Sequence, residues 1–422
     1  MHFNKLILIA FLGFTIFGLQ SCLEDKCDAT RTYIQFNPVY MMPDQFRIDI
    51  QTSEVRDLEQ PGKIYVYKQY LLINELREGI HVFDNSNPDN PEPVTFIEIP
   101  GNVDMAIYND HLYADSYVDF LTIDISDIQN PHLLQRQTEV FFLNGYHEDR
   151  GYLVYYNETD VTIDIDCADA RFDNGWFGGV RGDVWVLADG ANAEAGASGD
   201  SGVGGSMARF TISQGHLYTI DQYNLKAWDL GSPASPELVD EEHVGWNIET
   251  IFPYKKMLFL GSTSGMYIYN TSNPSDPHYS SVFQHANACD PVVVENDIAF
   301  ITLRDGTRCQ TYTNQLDVVD ISDPIKPEFI KSYGMKNPHG LAVRNNILYL
   351  CEGDYGLKVF DVSDLEDIDG NKLDEYDNMN GYDVISLQND LLLMIGSDGF
   401  YQFDSSDPKN LKQLSHIPVV KH

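Results

Sequence analysis

Acidic side chains and one histidine return at a matched position along this chain. Asp104, Glu249, Asp290, His339 and Asp383 each stand at or beside the start of a short apolar run, as in "PHGLAV" and "GYDVIS". Gly62, Asn144 and Arg209 (beside Ala208) hold the equivalent places elsewhere. A second set, Arg304 and Glu352 with Glu75, Asp115, Asp221 and Asp354, occupies polar turns one run further on. Crowded carboxylates disfavour one another's ionisation until a cation or proton intervenes. A hard cation such as Ca²⁺, with about six to eight oxygen ligands, would relieve them; Asp290, Asp383 and Glu249 are the candidate ligands. His339 would then act as general base or ligand. Without a cation, the same groups either line a water-filled channel or offer a ligand-binding surface at a concave mouth.

The elements that position these residues are read from a repeat. "HVFDNSNPDNPEP" at 81–93 returns as "LTIDISDIQNP", "AWDLGSPASP", "YIYNTSNPSDP", "DVVDISDPIKP", "KVFDVSDLED" and "YQFDSSDPKN". The closing Asp or Asn falls at 84, 124, 164, 229, 270, 320, 361 and 404, in steps of 40, 40, 65, 41, 50, 41 and 43 residues. Inside each unit three short strands rich in β-branched and aromatic residues precede this turn, and a fourth follows it, as in "EPVTFIEIP". Four short strands in about forty residues make one β-propeller blade. The reading is therefore an all-β propeller over 61–418, with eight blades by repeat count and seven if the third unit is not a blade. In such a fold the starts of the innermost strands and the second-to-third loops share one face, the mouth. The Pro-rich turns lie on the other, where Asp and Ser side chains bond backbone N–H groups and Pro ends the ladder. That makes these turns structural rather than calcium loops.

The third unit departs from the pattern. Its turn is replaced by a long insertion whose stretch at 188–206 is rich in Gly, Ala and Ser, and a flexible excursion is expected there. The unit between Asn270 and Asp320 carries extra residues, mostly in "RDGTRCQTYTNQ". Cys289 precedes the innermost strand of that unit and Cys309 lies in its enlarged loop, so both emerge on the mouth face. A disulfide between them would stabilise by about 3 kcal/mol in the chain-entropy model. Cys351 ends an apolar strand and reads as a buried small hydrophobe.

Composition limits the function classes. The 422 residues include 64 acidic and 27 basic side chains, a formal charge of −37, with 43% hydrophobic residues. A sequence-independent nucleic-acid binder needs basic groups to displace counterions, so no nucleic-acid partner is expected. The apolar content is that of a folded protein, not an acidic disordered tail. No Gly-x-Ser-x-Gly elbow, His-Glu-x-x-His pair or phosphate loop is present.

"LDVVDIS" at 316–322, "LKVFDVS" at 357–363 and "LTIDIS" at 121–126 resemble the core of the LVIVD repeat of bacterial, often surface-anchored, β-propellers. "PGKIYVYKQYLLINELREGIHVFDNSNPDNP" and "HANACDPVVVENDIAFITLRDGTRC" resemble the form carried by lipoproteins of the Bacteroidetes type. The resemblance implies fold and address, and no shared chemistry. The first residues agree with that address. Residues 1–21, with Lys5 before an apolar run too short to span a membrane, read as an export signal. "LQSC" resembles a lipobox with Cys22 as the lipidated residue, followed over 22–60 by a tether and lead-in. The expectation is an exported, lipid-anchored cell-envelope protein at the outer membrane, binding a glycan, peptide or protein. A metal-assisted hydrolase or lyase at the acidic mouth, and a scaffold using the blade rims, are the alternatives.

Overall fold

The computed structural model describes residues 28–143, 145–166, 191–192, 203–206, 208–284, 291–304 and 314–421. The chain divides into two compact units, 1–39 with 155–185, and 40–154 with 186–422. In the first, the strand beginning at Asp28 (Asp28–Met41) pairs with the one ending at Asp166 (Gly151–Asp166). Thr32 Oγ1 meets Thr162 Oγ1 at 2.9 Å and Asn37 Nδ2 donates to Thr159 Oγ1 at 3.2 Å.

The second unit is a β-propeller. Among the described residues, seven four-stranded antiparallel meanders succeed one another at 61–98, 105–137, 210–243, 248–284, 292–334, 341–376 and 383–418, numbered here blades 1 to 7. This is the lower of the two counts that the repeat allows. Asp164, which marks the third repeat position, lies within the long strand Gly151–Asp166 instead of a blade turn. The first strands of successive blades pack side by side from blade 1 through blade 7 and so line the axis.

Local chemistry explains the regularity. The first hairpin of several blades turns on two consecutive positive-φ residues, Asn109-Asp110, Asn296-Asp297 and Asn345-Asn346. Such turns match the strand twist and suit Asn and Asp. The repeated Asp or Asn accepts a bond from the backbone N–H two residues on in all seven blades: Asp84, Asp124, Asp229, Asn270, Asp320, Asp361 and Asp404, at 2.7–3.0 Å. The Asp-Ser-Pro sentence is therefore structural punctuation, as its residue types imply. Gly79 and Gly399 open third strands at φ +149° and +145°, where a Cβ would fall 2.0 Å from Ile97 O and 2.3 Å from Ile417 O.

Apolar residues alternate into the spaces between blades. Leu112, Phe120, Phe210 and Trp228 join blades 2 and 3, and Phe120 stacks on Trp228 at 4.5 Å. Blade 7 meets blade 1 through Ile385, Leu393 and Phe400 against Ile64, Leu71 and Phe83. Here Gln402 and Asn85 exchange side-chain bonds at 2.8 Å, and Val420 N donates to Leu58 O at 2.8 Å. The lead-in from residue 40 onward belongs to this unit too. Gln51–Ser53 adds a strand to the outer edge of blade 1, Phe46 is buried against Tyr117, and Arg47 makes a two-point ion pair with Asp119 at 2.8 and 3.0 Å.

One sequence expectation is corrected. The insertion is not a free excursion throughout, because Val203–Ser206 pairs with the first strand of blade 1 and Ala191–Asn192 pairs with Val203–Ser206 in turn. These two short strands touch the first strands of blades 1, 4, 6 and 7. Only a segment inside the ring of first strands can do that. The insertion thus enters the axial channel, where Ser206 is 1% exposed. The expected water-filled channel is occupied there by the chain itself.

Candidate functional site

The mouth-face residues are brought to their places by the blade pattern, yet most of their charges are matched within the fold. In blade 1, Glu75 Oε2 meets His81 Nε2 at 2.9 Å and accepts from Glu59 N at 3.1 Å, and Oε1 accepts from Gln60 N. Burial acts to raise the Glu75 pKa, but the His81 bond and the two N–H donors outweigh it, and the net direction is down. Asp221 pairs with Lys226 at 2.9 Å in blade 3, and Glu352 pairs with Lys358 in blade 6. The three pairs share one geometry. The carboxylate ends or directly follows the second strand and its buried partner comes from the third, five or six positions later. Each pair staples its own hairpin.

Asp104 and Asp115 bind blade 3 to blade 2. Asp104 Oδ2 accepts from Arg209 N, and Asp115 Oδ2 accepts from Arg209 Nη2 at 2.7 Å. The other Asp115 oxygen accepts from Val103 N at 2.7 Å, Asp104 N at 3.0 Å and Asn102 Nδ2 at 3.0 Å. Burial pushes the Asp115 pKa up although Arg209 opposes it. Asp354 accepts from Asn380 Nδ2 at 2.7 Å, linking blades 6 and 7.

His339 is 5% exposed. Arg304 Nη1 lies 2.7 Å from its Nδ1 and 2.9 Å from its Nε2. A neutral imidazole offers one acceptor nitrogen, so Arg304 donates to only one of the two. Burial, then Arg304, holds the His339 pKa well below its ordinary value. Asp383, buried at the start of blade 7, accepts from Ser206 Oγ at 3.5 Å, and the same hydroxyl accepts from Leu341 N at 3.0 Å.

The cation expectation divides. Asp383 is engaged with the channel insertion and Glu249 is half-buried at the start of blade 4. Among the described residues no three His, Cys, Asp or Glu side chains gather as a metal site. For Glu75, Asp104, Asp115, Asp221 and Glu352 the expected crowding is relieved by partners, His81, Lys226 and Lys358 from the same blade and Arg209 from the next. Asp290, Asn144, Cys22 and the Cys289–Cys309 pair lie outside the described residues. Cys351 is a buried free thiol, as its apolar strand predicts. Its pKa is raised by burial and by the Asp383 and Glu352 carboxylates.

Sequence reasoning missed an aromatic group on the same face. Tyr223, in the second-to-third loop of blade 3, stands between Phe142, which follows blade 2, and Trp246, which precedes blade 4. The signal available was weak but real: aromatic residues in "DQYN" and "HVGWN", segments of turn composition where no strand face claims them.

Comparison with known proteins supports the fold. The LVIVD repeat family matches residues 311–334. No curated protein matches the chain. Similar solved structures include a protein from Lactobacillus plantarum, 12% identical over 86% of this chain and 97% of that one, with TM-score 0.52. The computationally designed Ika8 protein is 11% identical over 87% of this chain and 92% of its own, with TM-score 0.51. BamB from Moraxella catarrhalis is 8% identical over 88% and 97%, with TM-score 0.49. At such identities the first two, with TM-scores above 0.5, speak to fold alone.

Proposed function

We propose that this chain is a lipid-anchored binding module of the cell envelope, held at the outer membrane through Cys22 and meeting its ligand with the loop face of the propeller. The observation that carries the binding reading is a contrast on that face. The described carboxylates there are largely paired with cations and N–H donors, while aromatic rings at the blade 3–blade 4 junction remain open to solvent. Paired and buried groups stabilise the ring of blades; exposed rings on a fixed framework are contact surface. His339 is buried beside Arg304, whereas the aromatic rings are exposed, and this favours the binding reading over a hydrolase or lyase using that histidine as base. The LVIVD-repeat resemblance and the signal with "LQSC" support the address, which extends to a lipoprotein of the Bacteroidetes type.

Two measurements test this. Detergent-phase partition should place the wild-type chain with membranes and a Cys22→Ser chain in the aqueous phase; equal partition of both would remove the anchor. The immobilised chain should retain envelope material that a Trp246→Ala chain does not. Retention lost only on changes to the outer blade strands would favour the scaffold.

A further inference from the structure

The aromatic group at the blade 3–blade 4 junction is built, not incidental. Tyr223 meets Phe142 at 5.2 Å between centroids and Trp246 at 5.5 Å, with interplanar angles of 79° and 88°, and lies nearly parallel to His243 at 6.5 Å. Trp246 is 71% exposed and Phe142 45%. The two loops that carry Tyr223 and Trp246 are tied together. Tyr223 O accepts from Val244 N at 2.9 Å and Gly245 N at 3.3 Å, and Gln222 O accepts from Ile248 N at 3.1 Å. Asp221 Oδ1 accepts from the Tyr223 and Asn224 N–H groups at 2.9 Å each. The rings are thus held ready, with little ordering left to do on binding.

The neighbours decide what such a surface takes. The closest cation is shared by two carboxylates, since Lys226 Nζ lies 2.9 Å from Asp221 Oδ2 and 2.9 Å from Glu241 Oε1, and the one negative charge left over disfavours an anionic ligand. The polar groups that accompany the rings themselves are planar and carry no carboxylate: the Asn224–His243 pair at 3.2 Å, and exposed Asn247. A protein-binding patch sets its aromatic anchors in an apolar core, and a cation site needs uncompensated carboxylates or a cage. Here an exposed indole face is ringed by amides and an imidazole, each able to meet hydroxyls. A sugar ring presents both counterparts, an apolar C–H face and an equatorial fringe of hydroxyls.

We propose that Trp246, Tyr223 and Phe142, with Asn224, His243 and Asn247, form a binding site for a neutral glycan. The sugar stacks on Trp246 and its hydroxyls bond the amides and His243. This inference rests on the binding-module reading and narrows it to one ligand class.

The test is native gel electrophoresis of the purified protein through gels containing mixed-linkage β-glucan, arabinoxylan, galactomannan, dextran or starch. Titration calorimetry with the hexasaccharide of any retarding polymer follows. The expected result is retardation by at least one polymer and an association constant at least tenfold lower in Trp246→Ala, with the thermal midpoint unchanged because that ring is mostly in solvent. Failure of all five polymers to retard the wild-type protein, or equal retardation of Trp246→Ala, overturns the inference. If no polymer retards the chain but it still retains an envelope protein through Trp246, the glycan assignment falls and the binding module stands. If it retains neither, both fall.

Discussion

Asp115 is a carboxylate with no access to water, and the fold answers it with one guanidinium and three N–H donors. Removing one partner of a buried pair leaves the other charge uncompensated, at a cost of about 3–5 kcal/mol. Arg209→Ala should therefore lower the urea midpoint strongly at neutral pH. The loss should shrink as the pH falls, because the Asp115 pKa is already raised and protonation removes the orphaned charge. The repeated turn aspartates behave oppositely. Bonds from Ser N–H and hydroxyl groups hold Asp84, Asp124, Asp320, Asp361 and Asp404 below their ordinary pKa. A depressed folded pKa gives stability that is complete above the unfolded value of about 3.9 and is lost as the pH falls through the folded value. Asp124→Asn should keep the turn bond, as Asn270 does naturally, and flatten part of this acid loss. Asp124→Ala should cost about 1 kcal/mol at neutral pH. Thermal melts from pH 7 to 3 check both.

At the scale of elements, the blade was plain in the sequence because its signals are local. The Asn-Asp turns, the Asp-x-Ser punctuation and the period-2 strands are each set by residues a few positions apart, and all were legible. What could not be read was partnership across distance. Glu75, Asp221 and Glu352 looked like a gathering of acids because their partners, His81, Lys226 and Lys358, declare themselves only once the second and third strands are paired. Asp115 finds Arg209 in another blade. The insertion misled for a related reason: Gly, Ala and Ser specify little by themselves, and only the open inner edge of blade 1 gives Val203–Ser206 a strand to join. Ser206→Ala should leave Leu341 N buried without that acceptor and cost about 1–3 kcal/mol. A solvent-exposed linker would tolerate the change, so an unaltered melting temperature would contradict the placement of this strand in the channel.

For the whole molecule, the ring closes without exchange of a strand between its ends. Each end contributes a complete blade, and the seam between blades 7 and 1 is held by apolar side chains, the Asn85–Gln402 pair and the Leu58–Val420 bond. The insertion adds to that seam from the axis, since Val203–Ser206 pairs with the first strand of blade 1 and packs on the first strand of blade 7. A ring stabilised in this way, with its described mouth charges largely matched internally, leaves recognition to the exposed loops. The most direct measurement is hydrogen–deuterium exchange of the chain with and without solubilised envelope material. The account predicts new protection in the loops around 141–143, 221–224 and 243–247, absent in Trp246→Ala. Protection confined to the outer strands of the blades, or protection of those loops that persists in Trp246→Ala, would contradict it.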